Sequence, residues 1–560
     1  MAGLIRDAPL GQIIRYLSAN KYFLYEEERP DFKCPSSYVH PEKVKESTAS
    51  FNALESAGDS SEGIGDEKVR MDGGELGPKL ARTSTADRLT ADGIVLVDWY
   101  TTDDPDNPQN WSPWKKHFVS LLICLYTFVV YCGSAIYTPS TRFIAEHFGV
   151  STITASLGLS LYVLGYGIGP LIFAPLSEIP TLGRNGPYIV TFALFVILTV
   201  PTALVENFAG LLVLRFLLGF IGSPCLANGG ASLQDIYSLI KLPYALIIWV
   251  SGAFCGPALG PLLSGFSVPA ENWRWSLWET LWMAGPVFLL FFICLPETSA
   301  SNILLLRAQR LRRLTGNQNL KSQSEIDQAN MKVSTIAFEA LIKPWQISIF
   351  DPAVAFTHVY SSIIYGIYYS FFEVFPLVYI DIYGMNLGEM GLVFLVALIA
   401  CIIAATTFAA YLWLYLVPDI MKRGLRAQEH RLVPALFAVF GPPIGLFLFG
   451  WTARQSIHWV VPTLGILIFS GSQFIILQCI FVYLPLSYPT YAASLFAAND
   501  FCRSAFAAGN ILFATPMYLN LGIGRGISLL GGLSVLGIVG MFILYFYGAN
   551  LRARSKFALS

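Results

Sequence analysis

Charge is what this chain has least of. Asp, Glu, Lys and Arg make up 13% of its residues, where about a quarter is usual for soluble domains. Hydrophobic residues make up 54%, and the mean hydropathy of +0.55 is that of an integral membrane protein. No GxxxxGK followed by Ser or Thr occurs, which excludes a phosphate-loop ATPase as the energy source. The six histidines are scattered, which argues against a membrane enzyme. Eight of the nine cysteines (Cys124, Cys132, Cys225, Cys255, Cys294, Cys401, Cys479, Cys502) stand singly in apolar runs, without CxxC or Cys–His spacing. Neither a disulfide framework nor a metal site is expected. No continuous apolar core follows Met1, so the expectation is that the first span acts as its own insertion signal.

What the chain does have is apolar runs of the length that crosses a bilayer. Twelve are read, over about 118–138, 152–173, 187–205, 209–230, 244–266, 279–296, 353–376, 391–411, 432–451, 458–482, 488–515 and 526–548. The expected fold class is all-α integral membrane, with twelve transmembrane helices in two six-helix halves at 116–296 and 353–548. The remainder divides into a tail at 1–115, mostly disordered on its polar composition, a central loop at 297–352 and a short tail at 549–560. Pro9 to Tyr25 has helical apolar spacing and suits either the membrane surface or a dock on the protein itself. Lys and Arg gather on one set of loops (Arg184, Lys241, Arg307, Arg310, Lys422, Arg431), while the opposite loops hold only Arg142, Arg274, Arg454 and Arg525. By the positive-inside rule both termini are expected in the cytosol. The sequon at Asn110 is then expected to carry no glycan.

Within the fifth run, WVSGAFCGPALGPLLSGF (Trp249 to Phe266) has no charge, and Gly252, Gly256, Gly260 and Ser264 recur every four residues. One face of that helix is smooth enough for a second helix to press against it. Pro257 and Pro261 each delete a backbone hydrogen bond and favour a bend. The six-loop-six layout is similar to the major facilitator superfamily, and GAFCGPALGP resembles the fifth-helix antiporter motif of its twelve-span drug:proton antiporters, with Pro261 in place of a common second glycine. GPLIFAPLSEIPTLGRNGP (Gly169 to Pro187) resembles the family's cytosolic signature between helices 2 and 3, with Ser177-Glu178 replacing the usual Asp-Arg. LLVLRFLLGFIGSP (Leu211 to Pro224) resembles the fourth-helix motif, and LPETSASNILLLRAQRLRR resembles the fungal multidrug branch that confers benomyl, methotrexate and azole resistance.

The resemblance implies a cytosolic gate at Gly169, Glu178, Gly183 and Arg184, with the charge role passing to Glu178 and Arg184, and a part in proton coupling for Arg215. Asp235, at the end of the same run as Arg215, is the nearest acid along it. At 1.5 Å per residue the two stand about 30 Å apart, so they would act at different stages. Charges inside spans cost at least a few kcal/mol and are rarely idle. In the seventh run His358, Ser361, Tyr365, Tyr369 and Glu373 share a face, with Phe371 and Phe372 beside it. Tyr365, Tyr369, Phe371, Phe372 and Glu373 are the candidate substrate wall, since aromatic faces accept flat, varied compounds and a carboxylate favours cations. A packed interface is the plainer reading of the same stripe. Asp500 and Arg503, one turn apart, are expected to be a structural pair.

The expected function is a plasma-membrane antiporter exporting varied hydrophobic drugs and xenobiotics by alternating access. It would be driven by the proton gradient without a cofactor, and would act as a monomer in the lipid bilayer with no nucleic-acid partner. Export of polyamines or other small metabolites is the rival within the family. A nutrient symporter or a transporter-like sensor lies further off.

Overall fold

The computed structural model describes residues 2–34, 38, 94–329, 342–488 and 492–555. Among the described residues, eleven helical segments are long and apolar enough to cross a membrane. Spans 1 to 6 are Pro113–Phe148, Thr152–Glu178, Asn185–Leu204, Phe208–Ile236, Leu242–Ala270 and Trp275–Cys294. Spans 7 to 10 are Pro352–Ile380, Leu387–Arg423, Gln428–Thr452 and Val460–Ser487, and Ile523–Arg554 is span 12. Between them Ala492–Leu521 forms a 30-residue helix, span 11. It is long enough to cross but carries Asn499, Asp500, Arg503 and Asn510, which set it apart from its apolar neighbours.

Local chemistry fixes where spans begin. Ser112 and Asn207 accept first-turn N–H groups of spans 1 and 4, and Asp351 accepts those of Ala353 and Val354 in span 7. Prolines at 113, 243 and 352 occupy first turns, where no N–H is needed. Span 5 packs chiefly on span 1, span 2 on span 4, and span 7 on span 11, while spans 2 and 5 cross to spans 11 and 8 of the other half.

The path between the halves is closed at both ends. At the end carrying the termini, Gln478 of span 10 donates to the Leu246 carbonyl of span 5 at 3.2 Å. Ala174, Ala227 and Ala497 of spans 2, 4 and 11 cluster there as well. At the opposite end the backbones nearly touch: a Cβ on Gly265 would stand 2.7 Å from the Leu387 carbonyl, and one on Gly391 2.8 Å from that of Pro261.

The described parts of the N-terminal tail are folded against the rest of the protein. Helices Ala2–Asp7 and Pro9–Leu17 are followed by a turn at Glu26–Glu28. Strand Val95–Val97 pairs in parallel with Leu320–Ser322 of the central loop. The Pro9–Leu17 helix docks on span 6, one of the two placements expected for it. The central loop contributes the helix Ala300–Thr315, whose Arg307 is fully buried. Its guanidinium meets Asp104 at 2.7 Å, Asp106 at 3.0 Å and Glu27 at 3.1 Å, with Tyr100's ring 4.3 Å away. Burial works against the charge on Arg307, and the Asp104 and Glu27 carboxylates more than offset it, holding its pKa above the ordinary arginine value. Counting polar residues misses this because acids on the tail complement bases on the loop. Residues 39–93, much of the expected disordered stretch, lie outside the described residues.

Candidate functional site

At mid-span the two halves enclose a cavity of about 20 Å³, room for a single water at about 10–15 Å³. Tyr131 of span 1 and Trp249, Phe254 and Pro257 of span 5 line it from one half. Tyr365, Tyr368, Gln473, Phe481, Asp500 and Arg503 line it from the other. Asp500 and Arg503 form a buried ion pair on span 11, and the Arg503 guanidinium carbon lies 4.8 Å from the centre of the Tyr365 ring and 5.4 Å from that of Phe481. The expected pair is formed, and both side chains also border the space between the halves. Gln473 of span 10 is fully buried, and neither amide atom has a hydrogen-bond partner among the described residues.

A chain of hydroxyls runs from this cavity into the first half. Tyr166 of span 2 donates to the Tyr369 hydroxyl at 2.8 Å and stands 2.6 Å from that of Tyr365. The Tyr369 hydroxyl lies 3.2 Å from Ser134 Oγ on span 1. The Ser134 carbonyl in turn accepts from Arg215 at 3.3 Å. Arg215, fully buried on span 4, also donates to the carbonyls of Gly133 at 2.9 Å and Gly158 at 3.0 Å. The rings of Tyr162 and Tyr137 stand 4.3 and 4.7 Å from its guanidinium carbon. No carboxylate lies within 4 Å of Arg215 among the described residues, so carbonyl dipoles and aromatic faces hold its charge.

The gate residues meet at the termini's end, with one exchange of partners. Arg184 pairs with Asp235 at 3.0 Å and donates to Ser177 Oγ at 3.0 Å. Burial disfavours the Arg184 charge, and Asp235 more than offsets this, holding the guanidinium above its ordinary pKa. Glu178 is exposed and makes no ion pair with Arg184 among the described residues. The carboxylate that pairs with Arg184 is therefore Asp235 and not Glu178, and it lies at the gate, far from Arg215. Gly183 takes a left-handed φ of +64°, and a Cβ there would meet Glu297 Oε2. Glu297 accepts the N–H groups of Arg184, Asn185, Thr298 and Ser299 at 2.8–3.0 Å and so ties the start of span 3 to the end of span 6. Burial pushes its carboxyl above the ordinary value despite those donors. Gly169 lets span 2 approach Ser223 and the Phe220 carbonyl of span 4.

The glycine face of span 5 meets span 1 of its own half. A Cβ on Gly252 would stand 2.7 Å from Cys124 Sγ, on Gly256 2.7 Å from Cys132 N, and on Gly260 2.8 Å from Ile136 N. The helix expected to press on this face is thus span 1. Pro257 and the aromatic Trp249 and Phe254 border the path, and Pro261 reaches Gly391 of span 8.

Span 7 divides the proposed substrate wall. Tyr365 lines the cavity and Tyr369 joins the hydroxyl chain. Phe371 points into the second half against Phe449 and Phe469, and Phe372 stacks on Phe394 of span 8. Glu373 accepts from Thr515 of span 11 at 2.8 Å and stands apart from the residues that line the cavity. Sequence reasoning passed over Tyr131, Tyr166, Trp249, Phe254 and Gln473. A lone glutamine amid apolar residues was a usable signal, since an amide inside a span is costly without a partner.

Compared with known proteins, residues 123–509 match the family model described as Major Facilitator Superfamily. The chain is 43% identical to the MFS-type transporter pyvG of Aspergillus violaceofuscus over the whole of both chains. It is 41% identical to fluconazole resistance protein 1 of Saccharomyces cerevisiae, over 85% of this chain and 87% of that one. The human organic anion transporter MFSD10 (TETRAN) shares the fold at a TM-score of 0.55 and 15% identity, covering 77% of this chain and all of that one.

Proposed function

The chain belongs to the major facilitator superfamily, and from that premise we propose that it exports flat, largely hydrophobic drugs in exchange for protons. The observation that carries the reading is the central cavity, walled by six aromatic side chains contributed by both halves and holding a self-neutralised ion pair. Aromatic faces bind unlike compounds without strict hydrogen-bond geometry, which is what a multidrug site needs. A relative named for fluconazole resistance supports azoles among the substrates. The closure of both ends around a collapsed cavity is what an intermediate of alternating access requires, and the rocking of one half on the other opens it. Proton coupling is supported by Arg215, a buried cation without a carboxylate partner, linked by hydroxyls to the cavity. The chain acts at the plasma membrane with both termini in the cytosol, without a cofactor.

The test is efflux of fluconazole and rhodamine 6G from yeast lacking its own pumps and expressing this chain, with and without a protonophore. Export that collapses with the gradient supports the reading. Export indifferent to the gradient contradicts it, and no export of either compound favours a small-metabolite substrate.

A further inference from the structure

Among the described residues lining the central cavity, Asp500 is the only carboxylate. Its hydrogen-bonding partner is Arg503, one turn along the same helix. The other titratable groups facing it are Tyr131 of span 1 and Tyr365 of span 7, on the same wall, and Cys225 of span 4, within electrostatic reach. All of these carry no charge at neutral pH, so Arg503 alone balances the carboxylate. Gln473 faces the same space with a donor and an acceptor both unsatisfied among the described residues. A buried polar group without a partner costs about 1–3 kcal/mol, a penalty that a ligand's amide, carbamate or azole nitrogen would relieve.

We propose that Asp500 is the carboxyl at which proton and drug exclude one another, and that Gln473 is the polar anchor of the same drug site. The proposal rests on the antiport reading given above and names the group that performs it. With Asp500 ionised, the pair is neutral, the aromatic walls accept a flat compound, and Gln473 hydrogen-bonds its polar edge. A proton passes from hydronium to an Asp500 Oδ, one O–H bond breaking as the other forms and water being left behind, and Arg503 becomes an unpaired cation in an enclosed space of low dielectric. That charge repels a cationic drug and removes the carboxylate acceptor from a neutral one. When the proton returns to water at the other end, the neutral pair reforms and the site is ready for drug again. Tyr365, beneath Arg503 and within the hydroxyl chain, carries the change toward Ser134 and Arg215. The substrates this site suits are aromatic compounds with one polar edge, cationic or neutral.

The experiment uses the purified full chain with rhodamine 6G in weakly buffered solution containing a pH dye, and the same protein in liposomes. At a pH low enough to protonate Asp500 in the empty site, wild type is expected to release about one proton per drug bound, since the two share one carboxyl. Asp500→Asn leaves Arg503 unpaired, as protonation does, and is expected to weaken rhodamine 6G binding and release no proton. Asp500→Asn combined with Arg503→Gln keeps the site neutral and is expected to bind the drug without proton release and to keep drug–drug counterflow while losing uphill accumulation under a pH gradient. Asp500→Glu is expected to restore release. Gln473→Leu is expected to weaken binding with the proton count unchanged. Should Asp500→Asn fail to fold, a hydrophobic carbodiimide applied to wild type is expected to modify Asp500, with rhodamine 6G protecting it. Proton release that persists in Asp500→Asn, or carbodiimide labelling of Asp500 that the drug does not affect, overturns the assignment. Unchanged binding in Gln473→Leu overturns the anchor. If wild type neither releases protons nor uses the gradient, antiport itself fails, a result recognisable because it precedes any variant.

Discussion

Tyr166 of span 2 and Tyr365 of span 7 bring their hydroxyls within 2.6 Å of each other at the centre of the molecule, so the two halves are joined there by a buried hydrogen bond. Tyr166 also donates to Tyr369, so one hydroxyl stitches the first half to the seventh span twice.

Because both bonds cross between the halves, Tyr166→Phe should loosen the closed arrangement by about 1 kcal/mol per bond while leaving each half's own packing intact. Surface abundance near wild type with a several-fold slower efflux is expected. A variant that is simply degraded would mean Tyr166 serves the core of its half alone.

The span 5 glycines separate into two classes. Gly256 meets span 1 within one half, whereas Gly265 meets span 8 of the other. Gly256→Val overpacks a fixed interface at about 1–3 kcal/mol, and its surface abundance should fall together with transport. Gly265→Val wedges only the closed far end, so it should reach the surface normally and fail to cycle. Equal behaviour of the two, read as surface level against efflux rate, would erase the distinction.

At the gate, Asp235→Asn leaves Arg184 partly buried without its partner, a loss on the order of 1–2 kcal/mol, between exposed and buried pairs. Closure at the termini's end should weaken by about tenfold, since 1.4 kcal/mol is a factor of ten. Glu178→Gln, exposed and unpaired with Arg184, should transport much like wild type. The measurement is drug efflux in the two variants at matched expression, and a larger loss in Glu178→Gln would return the gate charge to Glu178.

Arg307→Ala removes the cation from three carboxylates in a buried setting, where stranding like charges costs about 3–5 kcal/mol. The tail should detach from the central loop and become protease-sensitive between residues 94 and 112. Limited proteolysis of membranes followed by mass spectrometry checks this, and an unchanged cleavage pattern would show the tail held by other contacts.

The spans were legible because apolar runs must match the bilayer, and Arg215 was legible because a charge in such a run is costly. The glycine face of span 5 was visible too, but periodicity names a face and not its partner, so span 1 was indistinguishable from the path. Trp249, Phe254 and Pro257 lie on another face of that helix and went unread, since aromatic residues in spans also serve ordinary packing. Asp235 and Arg184 lie 51 positions apart, and their pairing depends on how span 2 returns to span 3 over Gly183. Span 11 was read from residue 488, its described helix runs from Ala492, and Asn499, Asp500, Arg503 and Asn510 within it are what pure hydropathy discounts. The Asp500–Arg503 spacing was read correctly, but its exposure to the cavity follows from the packing of span 11 between spans 2 and 7.

The most direct measurement places the purified chain alone in liposomes, imposes a pH gradient with no nucleotide present, and follows rhodamine 6G. Accumulation of the dye against its own gradient on the acidic side, abolished when a protonophore collapses the pH difference, is the expected result. Movement of the dye only down its own gradient, unchanged by the pH difference, would contradict proton-driven drug export by this protein.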